Sequence, residues 1–330
     1  MTASLTDARG RTVRDLRVSV TDRCNLRCHY CMPAEGLDWS PRDDQLSFDE
    51  ITRLVSLFAG FGVRSVRLTG GEPLVRRDLH LLVERLSAID AIEDISLTTN
   101  GILLAGQIDR LVAAGLTRVN VSLDALTPER YREITRRDGL ARVLDGLRAA
   151  ERFPDMGPIK VNVVAVRGMS SLEIIEFAEL ARRRPYVVRF LEFMPLDADE
   201  QWSEDALLTG AEIRAVIERV HELSELPSAP GSTARRFAFA DGAGEIGFVS
   251  PVSEPFCATC DRARLTADGQ LRSCLFSLDE TDLRGAMRAG ATNDTLGEMI
   301  RGAIWRKQAG HLIGSDTFVA PGRTMSQIGG

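Results

Sequence analysis

The stretch LRVSVTDRCNLRCHYC, residues 16–31, joins an apolar strand to a loop that carries three cysteines. LRVSVT (16–21) is rich in β-branched residues and alternates polar with apolar side chains, which is the pattern of a β-strand. The loop after it holds Cys24, Cys28 and Cys31. Because α/β proteins bind ligands at the carboxyl ends of parallel strands, this loop predicts a site if the remaining chain builds such a sheet.

Five further strand-like segments follow, and amphipathic, helix-like stretches separate them. They are RSVRLTG (64–70), DISLTTN (94–100), RVNVSLD (118–124), IKVNVVAV (159–166) and VVRFLEFM (187–194). Repeated strand–helix units predict a parallel sheet with right-handed crossovers. Capping boxes at Ser47 with Glu50 and at Ser170 with Glu173 predict where two of the helices begin.

One face of the predicted strands is polar. Since residues i and i+2 share a face, this face carries Arg17 and Ser19; Arg67 and Thr69; Ser96, Thr98 and Asn100; Asn120, Ser122 and Asp124; Lys160 and Asn162. A solvated face is one interpretation, but parallel sheets are normally covered on both sides. A curved sheet with a ligand on its polar, concave side explains the pattern better.

The character of the chain changes near residue 225. LPSAPGSTA (226–234) is typical of a loop, and FAFADGAGEIGFVSP (237–251) and ARLTADGQLRSCLF (263–276) are typical of hairpins. Two helices and a tail ending in Gly329 and Gly330 follow. We therefore expect two units, residues 1–225 and residues 226–330.

Composition narrows the class of protein. The chain has 330 residues, a formal net charge of −6 and a pI of about 5.5, so general attraction to nucleic acid or anionic membrane is not indicated. No apolar run approaches the roughly 20 residues of a membrane span, and the N-terminus lacks an apolar signal core. We expect a cytoplasmic protein, in which cysteines are metal ligands or catalytic groups.

The six cysteines form two groups of three. Their spacings are C-x3-C-x2-C for Cys24, Cys28 and Cys31 and C-x2-C-x13-C for Cys257, Cys260 and Cys274. The cytoplasmic context argues against disulfides, and structural zinc needs four protein ligands, although catalytic zinc uses three. A [4Fe–4S] cluster on three thiolates keeps one iron open for a small molecule. Zinc and iron–sulfur both stay open at this point.

The motifs resemble those of a known family. CNLRCHYC with Tyr30 before its last cysteine is the signature of radical S-adenosylmethionine (SAM) enzymes. LTGGEPLVRRDL (68–79), FCATCDRARLTADGQLRSCLF (256–276) and the terminal Gly-Gly resemble the GTP 3′,8-cyclase family, which acts first in molybdenum cofactor biosynthesis. The resemblance extends from about residue 11 to residue 330.

The resemblance implies a fold and a reaction. The fold is a partial (β/α)6 TIM-like barrel whose open side is closed by a C-terminal α+β segment. The cofactors are two [4Fe–4S] clusters and SAM. Reductive cleavage of SAM gives a 5′-deoxyadenosyl radical that takes hydrogen from C3′ of GTP. The C3′–C8 bond then forms, giving (8S)-3′,8-cyclo-7,8-dihydroguanosine 5′-triphosphate.

Residue roles follow from the same resemblance. The first cluster is held by Cys24, Cys28 and Cys31, and the second by Cys257, Cys260 and Cys274. SAM is bound by Tyr30, Gly71, Ser122 and Met194. GTP is bound by Arg17, Arg67, Thr98, Lys160, Arg262, Ala263 and Arg264. Arg17, Arg262 and Arg264 act on the reacting intermediate, and the tail, Gly329 and Gly330, reaches into the site.

Partners are implied in the same way. The resemblance implies an electron donor of the flavodoxin or ferredoxin type and product transfer to cyclic pyranopterin monophosphate synthase, by either a monomer or a homodimer. It implies neither nucleic acid nor membrane as a partner. Two rivals stay open: a two-cluster radical enzyme that modifies peptides, and a zinc-binding regulatory or scaffold protein.

Overall fold

The strands of the chain form one sheet in the computed structural model, which describes residues 4–197, 202–229 and 231–329. The strands are β1 Asp15–Ser19, β2 Ser65–Thr69, β3 Asp94–Thr99, β4 Arg118–Ser122, β5 Ile159–Ala165, β6 Tyr186–Glu192, β7 Leu223–Leu226, β8 Arg235–Phe239, β9 Glu245–Val249, β10 Arg262–Leu265, β11 Gln270–Arg272 and β12 Thr281–Asp282. Their order is β12-β11-β10-β1-β2-β3-β4-β5-β6-β9-β8-β7. The six predicted strands are confirmed as β1 to β6, side by side and parallel.

The C-terminal strands extend this sheet at both edges. The two predicted hairpins are confirmed, since β8 pairs antiparallel with β9 and β10 pairs antiparallel with β11. The sequence did not indicate that β9 also lies parallel to β6 and that β10 lies parallel to β1. The C-terminal segment therefore joins the barrel by backbone hydrogen bonds. The division near residue 225 stays a prediction.

The described residues form ten α-helices, of which those between the parallel strands cover the apolar face of the sheet. They are α1 Phe48–Gly60, α2 Leu79–Ser87, α3 Ile108–Ala113, α4 Pro128–Thr135, α5 Leu140–Ala150, α6 Ser171–Arg183, α7 Gly210–Glu218, α8 Leu283–Arg288, α9 Asn293–Trp305 and α10 Met325–Ile328. In α1, for example, Ile51, Leu54, Val55 and Phe58 recur at helical spacing and are buried in the core. Within the described ranges, no helix is long and apolar enough to cross a membrane.

Both predicted capping boxes are present. The hydroxyl group of Ser47 accepts a hydrogen bond from the backbone N–H of Glu50, whose carboxylate accepts one from the N–H of Ser47. Ser170 and Glu173 do the same at α6. Each box satisfies backbone N–H groups that the first helical turn leaves without a partner. The two boxes thereby fix the residues at which α1 and α6 begin.

Candidate active site

The first cysteine loop follows β1 and is anchored to α4. The backbone N–H groups of Arg27 and His29 donate to the carbonyl oxygens of Thr135 and Ile134, at 3.0 and 3.1 Å. Cys24, Cys28 and Cys31 are free and partly buried. Burial raises the pKa of Cys24 to about 11 and that of Cys31 to about 12. These thiols need a bound metal centre to become thiolates at neutral pH.

The turn after β2 touches the chain just ahead of this loop. The N–H of Gly71 donates to the carbonyl oxygen of Thr21 at 2.8 Å. A Cβ at Gly71 would lie 2.4 Å from the carbonyl oxygen of Asp22 and 2.5 Å from that of Arg23. Only glycine permits this approach, so the turn and the cysteine loop form one packed unit.

Glu72, which the sequence analysis did not single out, joins that turn to the end of β3. Its buried carboxylate accepts hydrogen bonds from the Thr99 hydroxyl and the Asn100 N–H, both at 2.7 Å, and from the Leu74 N–H at 2.9 Å. Burial raises the pKa of Glu72 to about 7, although these donors oppose the shift. The three bonds hold the carboxyl ends of β2 and β3 in register around the cysteine loop.

A cavity of about 220 Å³ lies beside the first cysteine group. The four predicted SAM residues line it together: Tyr30, Gly71, Ser122 and Met194. The Tyr30 hydroxyl donates to Oδ2 of buried Asp124 at 2.5 Å, while Oδ1 of Asp124 accepts from the Val164 N–H at 2.8 Å. Burial raises the pKa of Asp124 to about 6. Asp124 thus fixes the ring that stands over the cavity.

The predicted cations share the concave face of the sheet. Arg17 lies in register between Arg264 on β10 and Arg67 on β2. Burial and these two cations lower the pKa of Arg17 well below its usual value. Burial, followed by the positive charge of Arg189, lowers the pKa of Lys160 to about 8. Positive charges forced together in this way favour an anionic ligand.

A cavity of about 540 Å³ opens among these cations. The described residues that line it include nine arginine or lysine side chains against three carboxylates, those of Asp15, Glu245 and Asp261. Buried nitrogen atoms without a hydrogen-bond partner in the described structure include Nε of Arg17 and Nη2 of Arg262 at this cavity, and Nε of Arg264, the register neighbour of Arg17. Unpaired buried donors are costly, so they indicate a place where a ligand's oxygens bind.

The second cysteine group borders a cavity of about 150 Å³. Cys257 and Cys260 stand on a short turn before β10, and Cys274 follows β11. N–H groups of His311 and Arg262 point at the sulfur atoms of Cys257 and Cys260. Although burial opposes it, Arg262 and Lys307 lower the pKa of Cys260 to about 7. The second group is therefore in a more cationic setting than the first.

The three cavities adjoin one another. Arg17 lines all three, Thr98 and Arg264 line the cavities at both cysteine groups, and Arg67 and Arg262 line the cation cavity and that of the second group. The structure therefore brings the predicted GTP residues together, with one exception. The side chain of Ala263 is completely buried in the apolar core, because residues adjacent on a strand point to opposite faces.

Arg189 was missed. Its guanidinium donates to Oδ1 of Asn162, at 2.6 and 2.9 Å, and to Oδ1 of Asn120 at 3.0 Å. It lines both the cation cavity and the cavity of the second group. VVRFLEFM shows an arginine within a predicted strand, but only the register with β5 sets Arg189 opposite Asn162.

The C-terminal tail lies inside the barrel. A Cβ at Gly329 would lie 3.0 Å from Cβ of Ser19 and 3.1 Å from Cγ2 of Thr69, on β1 and β2. Ser326 donates hydrogen bonds to Cys31 and lines the first cavity with Met325. Gly330, the other predicted tail residue, lies outside the described residues.

The donor set of each group fits an iron–sulfur cluster. Each offers three cysteines, and N–H groups are directed at sulfur in both, as from Leu26 to Cys24 at 3.4 Å. Hydrogen bonds to sulfur are typical of cluster sites. In the described ranges, no three His, Cys, Asp or Glu side chains converge where one metal ion would sit, whereas thiolates of a cubane bind different irons.

Comparison with known proteins gives the same assignment. The Radical SAM superfamily model matches residues 18–181, and the Molybdenum Cofactor Synthesis C model matches residues 186–313. A GTP 3′,8-cyclase of Streptomyces coelicolor is 46% identical over 332 residues, which cover 99% of this chain and 96% of that protein. A GTP 3′,8-cyclase of Mycobacterium marinum is also 46% identical, covering 99% and 92%.

Among solved structures, Streptococcus suis SuiB bound to S-adenosylmethionine aligns with a TM-score of 0.59 at 14% identity, over 87% of this chain and 68% of that one. SuiB bound to its precursor peptide SuiA aligns with a TM-score of 0.61, over 93% and 67%. At this identity the likeness concerns the fold alone, and it agrees with the partial barrel. By sequence similarity along its whole length, the chain belongs to the GTP 3′,8-cyclase family of radical SAM enzymes.

Proposed function

We propose that this chain is a GTP 3′,8-cyclase that carries out the first step of molybdenum cofactor biosynthesis. One observation carries the proposal: two cysteine groups border cavities that adjoin a cation cavity, and Arg17 lines all three. The arrangement suits a radical source, a polyphosphate and a second anchor within one site. The names of relatives 46% identical over nearly the whole chain support the same activity.

The cofactors are SAM and two [4Fe–4S] clusters, held by Cys24, Cys28 and Cys31 and by Cys257, Cys260 and Cys274. When bound, the first cluster supplies the electron that cleaves SAM, and the second offers an open iron to the guanine base. For SAM binding, we assign the backbone at Gly71 to the methionine end and Ser122 to the carboxylate or ribose. Tyr30, which Asp124 orients, and Met194 contact the adenosyl group.

We assign the triphosphate to Arg67, Lys160 and Arg189, with Arg17. Guanidinium groups bind phosphate through paired donors and an ammonium adds a point charge. The support is the excess of cations around a cavity of about 540 Å³. Burial and, after it, repulsion by neighbouring cations lower the pKa of Lys160, and the negative charge of a triphosphate relieves the repulsion.

Arg17, Arg262 and Arg264 are assigned to the reacting nucleoside. Their unpaired buried nitrogens support this role, because preorganised donors stabilise charge that develops during reaction. Thr98 contacts the same substrate, and Gly329 closes the site from the tail side. Together these groups hold C3′ and C8 of GTP in near-attack geometry and exclude water.

We propose a cytoplasmic enzyme that receives its electron from a flavodoxin- or ferredoxin-type protein. The product, a cyclic nucleoside triphosphate, passes to cyclic pyranopterin monophosphate synthase. No residue of the chain is assigned to either contact.

Anaerobic turnover with SAM, a strong reductant and GTP tests the proposal. GTP-dependent formation of 5′-deoxyadenosine and of the cyclised nucleotide is expected, with about eight irons per chain for two cubanes. If 5′-deoxyadenosine forms with peptides but not with GTP, the peptide-modifying rival is correct. If the purified chain holds tightly bound zinc and no labile sulfide, both the GTP cyclase and the peptide-modifying radical enzyme are excluded.

A further inference from the structure

Lys307 is a buried ammonium beside the second cysteine group. It follows the end of α9 and is 2% exposed. Its Nζ donates to the carbonyl oxygen of Arg262 at 2.6 Å, to that of Cys260 at 3.1 Å and to Sγ of Cys260 at 3.4 Å. An ammonium has three N–H donors, so one sulfur atom and two carbonyl oxygens use all of them.

The charge of Lys307 needs a counter-charge. Among the residues that the structure describes, no carboxylate forms an ion pair with it, and its close neighbours include the cation Arg11. A buried ammonium without an anion is strongly unfavourable. The Asp261 carboxylate interacts electrostatically with the charge of Lys307. The group that its ammonium contacts directly is Sγ of Cys260, which carries negative charge once it binds metal.

The choice of lysine here is unusual for this chain. Lys160 and Lys307 are the only lysines among its 41 lysine and arginine residues. Three acceptors arranged around one nitrogen suit a compact ammonium, whereas a planar guanidinium needs acceptors side by side. The position therefore has a geometric requirement that arginine, used almost everywhere else, does not meet.

The backbone around Lys307 is held in place from the N-terminal segment. The guanidinium of Arg11, paired with Asp7, donates to the carbonyl oxygens of Gln308 at 2.6 Å and Ala309 at 2.9 Å. The same group donates to the carbonyl oxygen of Cys257 at 2.8 Å. Arg11 thus clamps the Lys307 segment and the cysteine turn together.

The segment then passes directly over the other cysteine of that turn. A Cβ at Gly310 would lie 3.2 Å from Cβ and 3.4 Å from Sγ of Cys257. The N–H of His311 points at the same sulfur atom. Residues 307–311 therefore pass over the sulfur atoms of Cys257 and Cys260.

We propose that Lys307 is a positioning residue of the second metal centre: its ammonium donates an N–H···S hydrogen bond to the Cys260 thiolate and sets the electron affinity of the cluster bound there. The inference rests on the proposed function only in that it takes the centre to be a [4Fe–4S] cluster. Positive charge and hydrogen bonds at sulfur draw electron density away from a cluster and raise its reduction potential. A cluster held by these cysteines would then be a better acceptor for the nitrogen or oxygen of a purine.

The test compares four variants of the reconstituted full chain. Lys307→Met keeps the length of the side chain and removes charge and donors, and Lys307→Gln keeps N–H donors without charge. Arg306→Met is the matched control, because it removes a positive charge from an exposed position next to Lys307. Cys24→Ala, Cys28→Ala and Cys31→Ala combined in one chain leave the second cluster alone and identify its electron paramagnetic resonance signal.

Two readouts are expected to change. In potentiometric titration without GTP, the midpoint of the second cluster shifts to a more negative value in Lys307→Met and shifts less in Lys307→Gln. The Kd for GTP rises by about tenfold in Lys307→Met, the lower end for a residue that orients a metal ligand. Arg306→Met leaves both quantities at the wild-type values.

Two results would overturn the inference. One is an unchanged midpoint in Lys307→Met with about eight irons per chain retained. The other is loss of the second cluster in both Lys307 variants but not in the control, since Lys307 would then be needed for assembly. If GTP fails to bind the wild-type chain, the proposed function fails, but the midpoint shift still tests Lys307.

Discussion

Gly71→Ala tests the contact on which the first cavity depends. The added Cβ would lie 2.4 Å from the carbonyl oxygen of Asp22 and 2.5 Å from that of Arg23, and both neighbours are backbone atoms. Restoring ordinary contact at about 3.4 Å requires a displacement of about 1 Å. Because Cys24 follows Arg23 directly, the displacement reaches the first cysteine loop.

The magnitude follows from this displacement. Misplacing reacting groups by about 1 Å costs on the order of 100-fold in rate, which corresponds to roughly 2.7 kcal/mol. Overpacking of a well-packed site lowers the free energy of unfolding by about 1–3 kcal/mol. We therefore expect kcat/KM for 5′-deoxyadenosine formation to fall about 100-fold. Iron analysis then shows whether the rate falls because the loop has shifted or because iron has been lost from the first cysteine group.

The assay is anaerobic single-turnover cleavage of SAM, with iron analysis and thermal unfolding of the same preparation. Gly60→Ala is the matched control, because the Cβ there meets nothing within 4 Å and φ is not positive. It should leave the rate unchanged and raise the free energy of unfolding by about 0.4–1 kcal/mol, because alanine restricts the unfolded chain. If Gly71→Ala cleaves SAM within twofold of the wild-type rate, the close approach is not needed and the reasoning is wrong.

Three further predictions concern the substrate side. Arg262→Ala combined with Arg264→Ala should abolish cyclisation while about eight irons per chain remain; loss of iron from the second group would make the arginines structural. Since the pKa of Lys160 is lowered to about 8, its charge and the affinity for GTP should be present below pH 8 and decline above it, so that KM rises. Lys160→Arg should keep KM flat to pH 9, and identical profiles would exclude the lysine as the titrating group. Gly329→Ala adds a Cβ where φ is 91° at a strain of about 1–3 kcal/mol, so hydrogen exchange in residues 325–329 should accelerate and 5′-deoxyadenosine yield should drop; unchanged exchange would show that the tail tolerates the strain.

The sequence was sufficient for features that depend on local pattern. Alternation along β1 to β5 placed Arg17, Arg67 and Lys160 on one face because side chains on a strand repeat every two residues. The cysteine spacing gave the two metal groups, and Ser47 and Ser170 gave helix starts, because a capping box spans only four residues. Recognition of the family supplied residue roles that no local pattern contains.

Features that depend on long-range pairing were not accessible. Arg189 is the single cation of β6, and its place opposite Asn162 follows only from the register of β5 with β6. Lys307 binds two backbone carbonyl oxygens, which every residue possesses and no sequence pattern marks. Ala263 was grouped with its arginine neighbours by resemblance, although the alternation of side chains along β10 directs it into the core.

The pairing of β10 with β1 also determines when the sheet can be completed during synthesis and folding. Asp15 and Arg262 are partners in the sheet although about 250 residues separate them in the chain. During synthesis, β1 therefore presents an open hydrogen-bonding edge, a site of unwanted association, until about four fifths of the chain has been made. Contacts this distant in sequence also slow folding. The first cysteine loop, which directly follows β1, is made early but acquires its final surroundings late, so assembly of both metal centres belongs to the end of folding.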